Sequence, residues 1–255
     1  MAKTNLQEMI KEERIEAVLF DLDGVITDTA SIHAKCWKQM FDQFRDRYRQ
    51  AGKGDFNPFD IDRDYKRHVD GKLRYDGVRS FLESRSIHLP FGDPEGPPNF
   101  DSIAGLGNEK DALFKKSIES GQVIVYQGSV ELIEHLRGLG IKTAVVSASK
   151  NCKRVLEAAG LQHLFDARVD GNVADRLNLP GKPAPDTFLK AAEMLGVQPG
   201  SAVVVEDAVS GVRAGRAGGF GLVVGVDQTG NPEKLRREGA DIVVKDLSEL
   251  LDESR

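Results

Sequence analysis

Cysteine is scarce in this chain. Cys36 and Cys152 are the only two, too few for a disulfide framework and too far apart in sequence for a zinc pattern, so a reducing cytoplasm is the expected compartment. No run of about eighteen apolar residues occurs, so no helix is expected to span a bilayer. The first residues, Met1 to Arg14, are rich in charge and lack an apolar stretch of signal-peptide length, so secretion is not expected. Excess positive charge is missing too: 35 Lys and Arg stand against 40 Asp and Glu, a formal net charge of -5, and neither nucleic acid nor a membrane is an expected partner. His33, His68, His88, His135 and His163 show no metal-ligand spacing. Gly105-Leu106-Gly107 lacks the strand, third glycine and acidic residue of a dinucleotide fold, and Gly218-Gly219-Phe220-Gly221 lacks the lysine and hydroxyl of a phosphate loop. Both read as backbone turns.

What remains is an ordinary globular composition, 40% hydrophobic and 29% charged over 255 residues, enough for one large domain or a domain with an insert. The chain is organised in two styles. Ser31 to Gln50 carries Trp37, Met40, Phe41, Phe44 and Tyr48 at helical spacing, which predicts a helix with one packing face. Weaker helical patterns follow around Ile61 to Val69, Asp76 to Glu83 and Lys110 to Ile118, with no strand among them. Leu89 to Asn99 holds Pro90, Pro94, Pro97 and Pro98, so a surface loop is expected there, either a lid or an inert excursion. From Ser129 onward helices alternate with short apolar strands: helix near Val130 to Arg137, strand Lys142 to Val146, helix near Asn151 to Ala159, helix Asp186 to Leu195, strand Ser201 to Val205, helix Val209 to Ala217, and strands Gly221 to Val226 and Ile242 to Val244. Such alternation predicts a parallel sheet covered by helices.

Ligands of open parallel sheets collect outside the carboxyl ends of the strands, so the polar residues at those ends matter. The run Ala17-Val18-Leu19-Phe20 delivers Asp21 and Asp23 into a turn at Gly24. A calcium loop would continue with further oxygen ligands, whereas Val25 and Ile26 follow at once, so a catalytic turn is preferred. Ser147-Ala148-Ser149-Lys150-Asn151 follows Val146, Glu206-Asp207 follows Val205, and Lys182 precedes the helix at Asp186. One carboxylate of the first pair could attack an electrophile while its neighbour moves a proton, the logic of an aspartyl phosphotransferase. Repulsion between an ionised carboxylate and a phosphate calls for cations and donors nearby. Asp21, Glu206 and Asp207 could create a magnesium site, and Ser147 and Lys182 could hold phosphate oxygens. Each residue has a plainer reading: Ser147, Ser149 and Asp186 as helix caps, Lys182 as a solvated loop lysine, Glu206-Asp207 as an acidic turn. The joint placement of four separated segments favours the functional one.

These four segments together resemble the haloacid dehalogenase superfamily, and within it the β-phosphoglucomutase-like group with a helical cap. Phe20 to Thr29 is similar to the first motif, Ser147 to the second, Lys182 to the third and Glu206-Asp207 to the fourth, the tract Val203 to Gly215 being the most specific. The resemblance implies an α/β fold, a Rossmann-like doubly wound parallel sheet core formed by residues 1–29 and 122–255, with an α-helical cap domain, 30–121, inserted after the first strand. It implies Asp21 as the phosphorylated nucleophile and Asp23 as acid and base. Magnesium is then held by Asp21, the Asp23 carbonyl and Asp207, assisted by Glu206, with Ser147 and Lys182 on the transferring phosphate. Ser149-Lys150-Asn151, with Ala148, is similar to a segment that grips a second phosphate, and Arg74 matches a cap arginine that completes the grip. Lys110 matches a cap lysine near the sugar and His33 a cap-hinge histidine. The implied reaction interconverts β-D-glucose 1-phosphate and D-glucose 6-phosphate through an aspartyl-phosphate and a glucose 1,6-bisphosphate intermediate, with glucose 1,6-bisphosphate also the priming donor and a small phosphorylated sugar the partner of a monomer. A sugar-phosphate phosphatase and a noncatalytic sugar-phosphate-binding module are the alternatives.

Overall fold

The computed structural model describes residues 6–12, 15–70, 72–121 and 123–251; Gly71, next to the predicted Arg74 segment, the expected boundary at Gln122 and parts of Met1 to Arg14 lie outside them. The chain divides into two compact units, residues 1–28 with 123–255, and residues 29–122.

The first unit is a six-stranded sheet of order β3-β2-β1-β4-β5-β6, every pair parallel. Its strands are β1 (Ala17–Phe20), β2 (Lys142–Val146), β3 (Ala167–Val169), β4 (Ala202–Glu206), β5 (Leu222–Val226) and β6 (Ile242–Val244). Parallel strands covered on both faces read as continuous apolar runs, and Ala17-Val-Leu-Phe, Ala202-Val-Val-Val and Leu222-Val-Val are such runs, buried throughout. The helices are α1 (Leu6–Lys11), then, beyond the other unit's α2, α3 and α4, α5 (Gln127–Gly138), α6 (Cys152–Ala159), α7 (Gly171–Leu177), α8 (Asp186–Leu195), α9 (Val209–Ala217) and α10 (Pro232–Arg237). One face is sealed by Phe188, Ala191, Ala192 and Leu195 of α8 packing on Leu19, Ala144, Val146 and Val204. Further along the same face, Val212 of α9 and Leu235 of α10 meet Val223, which is in register with Val204. Strand order reverses between β1 and β4, where a doubly wound sheet opens its ligand crevice. The expected doubly wound fold class is therefore the observed one.

The second unit is helical: α2 (Thr29–Gln50), one wide turn at Tyr65–Val69, α3 (Arg74–Glu83) and α4 (Ile103–Glu119). The stripe Trp37, Met40, Phe41 and Phe44 forms its core with Phe59, Phe81 and Leu106, and Tyr48 packs at the edge; Phe41 and Phe81 lie 4.0 Å apart. The proline-rich loop has no regular structure but is tied down, Asn108 donating to Pro94 O at 3.0 Å and to Gly96 O at 2.9 Å. One reading is corrected here: Gly105 and Gly107 are not turn glycines but lie inside α4. They are small because neighbours approach closely, a Cβ at Gly105 meeting Asn99 Oδ1 at 2.0 Å and one at Gly107 meeting Tyr75 at 2.7 Å. No helix among the described residues is long and apolar enough to cross a membrane.

Candidate active site

The carboxyl end of β1 sets the site. Asp21 continues the ladder one residue past the strand, its N–H donating to Val205 O at 2.9 Å, which fixes the backbone and leaves the nearly buried carboxylate at the sheet's rim. The chain then turns sharply. Asp23 N–H donates to Asp21 Oδ2 at 2.8 Å, Gly24 takes φ +94, and Gly24 N–H closes the turn onto Thr27 O at 2.8 Å. Glycine is required twice over, because a Cβ at position 24 would stand 2.1 Å from Asp207 Oδ2 and positive φ is costly for other residues. The same contact places the Asp207 carboxylate against the turn that carries Asp23.

Lys182 is the centre of the constellation. Its Nζ donates to Asp21 Oδ1 at 2.5 Å, to Glu206 Oε1 at 2.6 Å and to Val146 O at 3.3 Å, joining the ends of β1, β2 and β4, and it lies 4.8 Å above the Phe188 ring. Glu206 Oε2 accepts from Ala208 N–H at 2.9 Å. Ser147 Oγ donates to Asp23 Oδ2 at 3.2 Å and accepts from Ser149 N–H at 3.1 Å. The structure thus brings Asp21, Asp23, Ser147, Lys182, Glu206 and Asp207 to one rim. Ser149 Oγ accepts from Asn151 N–H at 3.2 Å, so the serines order their own loop and leave α6 without a side-chain cap.

The electrostatics follow from crowding acids around one ammonium. Burial is the largest influence on Asp21 and pushes its carboxyl well above the usual carboxylate range; Lys182 opposes this, while Glu206 and Asp23 add to it. Burial alone would depress Lys182, but the carboxylates of Asp21 and Glu206 outweigh it and hold the ammonium firmly protonated. Tyr126 is pushed up to about 12 by burial and by the negative charges of Asp28 and Asp207. Negative charge therefore exceeds positive at this rim, and the donors are all hard oxygens, the kind that suits Mg²⁺ rather than a soft metal. Among the described residues no three His, Cys, Asp or Glu side chains are already gathered around one metal position.

Sequence reasoning missed how the 147–151 loop is held. Helix α7 supports it: Gly171 N–H donates to Ser149 O at 3.2 Å, Asn172 Nδ2 donates to Lys150 O at 2.8 Å, and Asp175 pairs with Lys150 Nζ. Asp170, which caps α7 through the N–H groups of Asn172 and Val173, was the available signal, an N-cap residue type placed just after an apolar residue.

In the helical unit, His33 and Lys110 touch through Nδ1 and Nζ, both buried. His33 stacks on Phe114 at 3.9 Å, and Lys110 Nζ lies 4.7 Å from the same ring and 5.3 Å from Trp37. Arg74, at the start of α3, pairs with Asp111 at 2.7 Å, and Asp111 pairs with Lys115 at 2.7 Å. Asp111 is a partner that the sequence did not single out.

Comparison with known proteins places this geometry in context. The model of the haloacid dehalogenase-like hydrolase family matches residues 15–219. A β-phosphoglucomutase of Mycobacterium tuberculosis is 49% identical over 243 residues, covering 94% of this chain and 92% of that one. A fructose-1-phosphate phosphatase of Escherichia coli is 30% identical over 212 residues, 83% of this chain and 96% of that one. Among solved structures, a β-phosphoglucomutase from Clostridium difficile superposes with a TM-score of 0.74 at 28% identity, covering 92% of this chain and 93% of that one.

Proposed function

We infer the function of this chain from one premise: it belongs to the haloacid dehalogenase-like hydrolase family. It is a magnesium-dependent β-phosphoglucomutase of the cytoplasm, a monomer interconverting β-D-glucose 1-phosphate and D-glucose 6-phosphate. The observation that carries this reading is Lys182 bridging Asp21 and Glu206 while Ser147 holds Asp23. A nucleophile, a proton carrier and a phosphate-binding cation then stand together, and near-full-length similarity to a phosphoglucomutase supports the choice of substrate.

Asp21 attacks phosphorus, the bond from phosphorus to the sugar oxygen breaks, and Asp23 gives its proton to that departing oxygen. In the return step a sugar hydroxyl attacks the phosphorus carried by Asp21, the bond from phosphorus to the Asp21 carboxylate breaks, and Asp23 takes the hydroxyl proton. Lys182 and Ser147 hold the transferring oxygens. Asp21, the Asp23 carbonyl and Asp207, with Glu206 beside them, would hold Mg²⁺, which when bound offsets the negative charge of phosphate and nucleophile. Glucose 1,6-bisphosphate supplies the first phosphoryl group.

Isomerisation needs a grip on the phosphate that is not transferred. In this reading Ala148, Ser149, Lys150 and Asn151 bind it, and Arg74, His33 and Lys110 are substrate-binding residues. Lys150 and Arg74 each hold a carboxylate, Asp175 and Asp111, which a sugar-borne phosphate replaces. The second reading, a sugar-phosphate phosphatase, is favoured by similarity to the fructose-1-phosphate phosphatase; there water takes the phosphoryl group from Asp21. Both readings require a phosphoenzyme. Incubation with magnesium and a sugar bisphosphate is expected to add a phosphoryl group to the peptide containing Asp21, detected by mass spectrometry, and Asp21→Asn abolishes it. A phosphoryl group elsewhere, or none, overturns both.

A further inference from the structure

A fifth segment reaches the nucleophile turn. Gln228, in the loop after β5, donates from Nε2 to the carbonyl of Gly24 at 2.9 Å across 204 residues of sequence. Other carbonyls of the turn are held as well: Leu22 O accepts from Ile26 and Thr27 N–H, each at 3.0 Å, and Ile26 O accepts from Tyr126 N–H at 3.0 Å, while Val25 O accepts from Ser129 Oγ at 2.6 Å. Gly24 is the residue after Asp23 and the softest point of the turn, since it lacks a Cβ and sits at φ +94.

The loop that presents Gln228 is fastened at its root. Asp227 N–H donates to Val244 O at 2.8 Å, beside the end of β6. Asp227 Oδ1 accepts from Thr229 N–H at 3.0 Å, Thr229 Oγ at 3.2 Å and Asn231 N–H at 3.0 Å, and the Asp227 side chain is buried. An exposed glutamine with a rigid base is suited to pinning a flexible turn, and only the amide, not a carboxylate of the same length, can donate to a carbonyl.

We propose that Gln228 is a positioning residue for phosphoryl transfer, holding the Gly24 carbonyl so that Asp23 stays aligned to move its proton. The proposal rests on the reading of Asp21 as nucleophile and Asp23 as acid. Asp21 is anchored by the sheet itself, so loss of the Gln228 contact disturbs the proton carrier more than the nucleophile. Protonation matters when the departing oxygen is a poor leaving group, as in a sugar or alkyl phosphate, and little when it is a good one, as in an aryl phosphate with a low-pKa phenol.

The test measures phosphoenzyme formation by wild type, Gln228→Ala, Gln228→Glu and Asp23→Asn with a sugar phosphate and with an activated aryl phosphate. Both Gln228 variants are expected to lose about threefold to tenfold with the sugar phosphate, the scale of one modest hydrogen bond, and less than twofold with the aryl phosphate, at unchanged thermal unfolding midpoint. Equal losses with both substrates, or no loss with either, overturn the positioning role. The Asp23→Asn control separates the two claims: a steep leaving-group dependence there with a flat response at Gln228 sinks only the Gln228 proposal, whereas no dependence in Asp23→Asn sinks the assignment of Asp23.

Discussion

Replacing Lys182 by methionine keeps an unbranched apolar stem out to Cε and removes the ammonium, and the structure sets what that costs. Lys182 is 4% exposed, Glu206 1% and Asp21 10% by side chain, so the two carboxylates lose their shared counter-ion in a place water barely reaches. Each keeps one donor, Ala208 N–H for Glu206 and Asp23 N–H for Asp21. Breaking a buried pair from one side costs about 3–5 kcal/mol; the surviving donors put the expectation near the lower end, about 3 kcal/mol, still a large share of the roughly 5–15 kcal/mol that holds a domain folded. Adding Glu206→Gln removes one stranded charge, so the double variant is expected to be more stable than additivity allows, by about 1–3 kcal/mol. Urea unfolding is the assay, followed by far-ultraviolet circular dichroism because the single tryptophan, Trp37, lies in the helical unit. A loss below about 1 kcal/mol for Lys182→Met, or strict additivity with Glu206→Gln, refutes the shared buried pair.

Gly24→Ala forces a methyl group against Asp207 at a left-handed φ; turnover is expected to fall about a hundredfold and the magnesium concentration for half-maximal activity to rise, and wild-type values for both count against the Asp207 assignment. Arg74→Ala leaves Asp111 paired with Lys115, so stability should hold while isomerisation falls about 10- to 100-fold and plain phosphoester hydrolysis falls less; equal losses in the two assays remove Arg74 from the distal phosphate. In the helical unit, burial would raise the Asp64 carboxyl, but the Asp60 N–H and the guanidinium groups of Arg63 and Arg85 hold it below its ordinary 3.8. A folded value below the unfolded one contributes stability that is present above about pH 4 and fades as pH falls through the folded value. Asp64→Asn should therefore destabilise by about 1.5–3 kcal/mol near neutral pH, with the gap closing in acid; Trp37 fluorescence during unfolding reads it, and a gap independent of pH contradicts the ion-pair account.

The parts legible in the sequence are those with strong local signals. Ala17 to Phe20 and Ala202 to Val205 are apolar runs that only a doubly covered parallel strand explains, and the acids at their ends meet at the rim because β1 and β4 are neighbours. Strand β3 escaped notice because three residues, one of them Arg168, carry no usable periodicity, and α7 and α10 because seven and six residues are too few to show one. Gly105 and Gly107 misled because sequence does not reveal that Asn99 and Tyr75 press on α4 at those two positions. The carboxylates on Lys150 and Arg74 were equally hidden: Asp175 reaches the loop residue Lys150 from α7, and Asp111 is 37 residues from Arg74.

The most direct test of the phosphomutase reading is a product ratio. The protein is incubated with magnesium, β-glucose 1-phosphate and a trace of glucose 1,6-bisphosphate, and glucose 6-phosphate is separated from free phosphate, with the α anomer run in parallel. Glucose 6-phosphate from the β anomer, in excess over free phosphate and dependent on the bisphosphate, is the expected result. Rapid release of phosphate with no glucose 6-phosphate would contradict it and leave a phosphatase in its place.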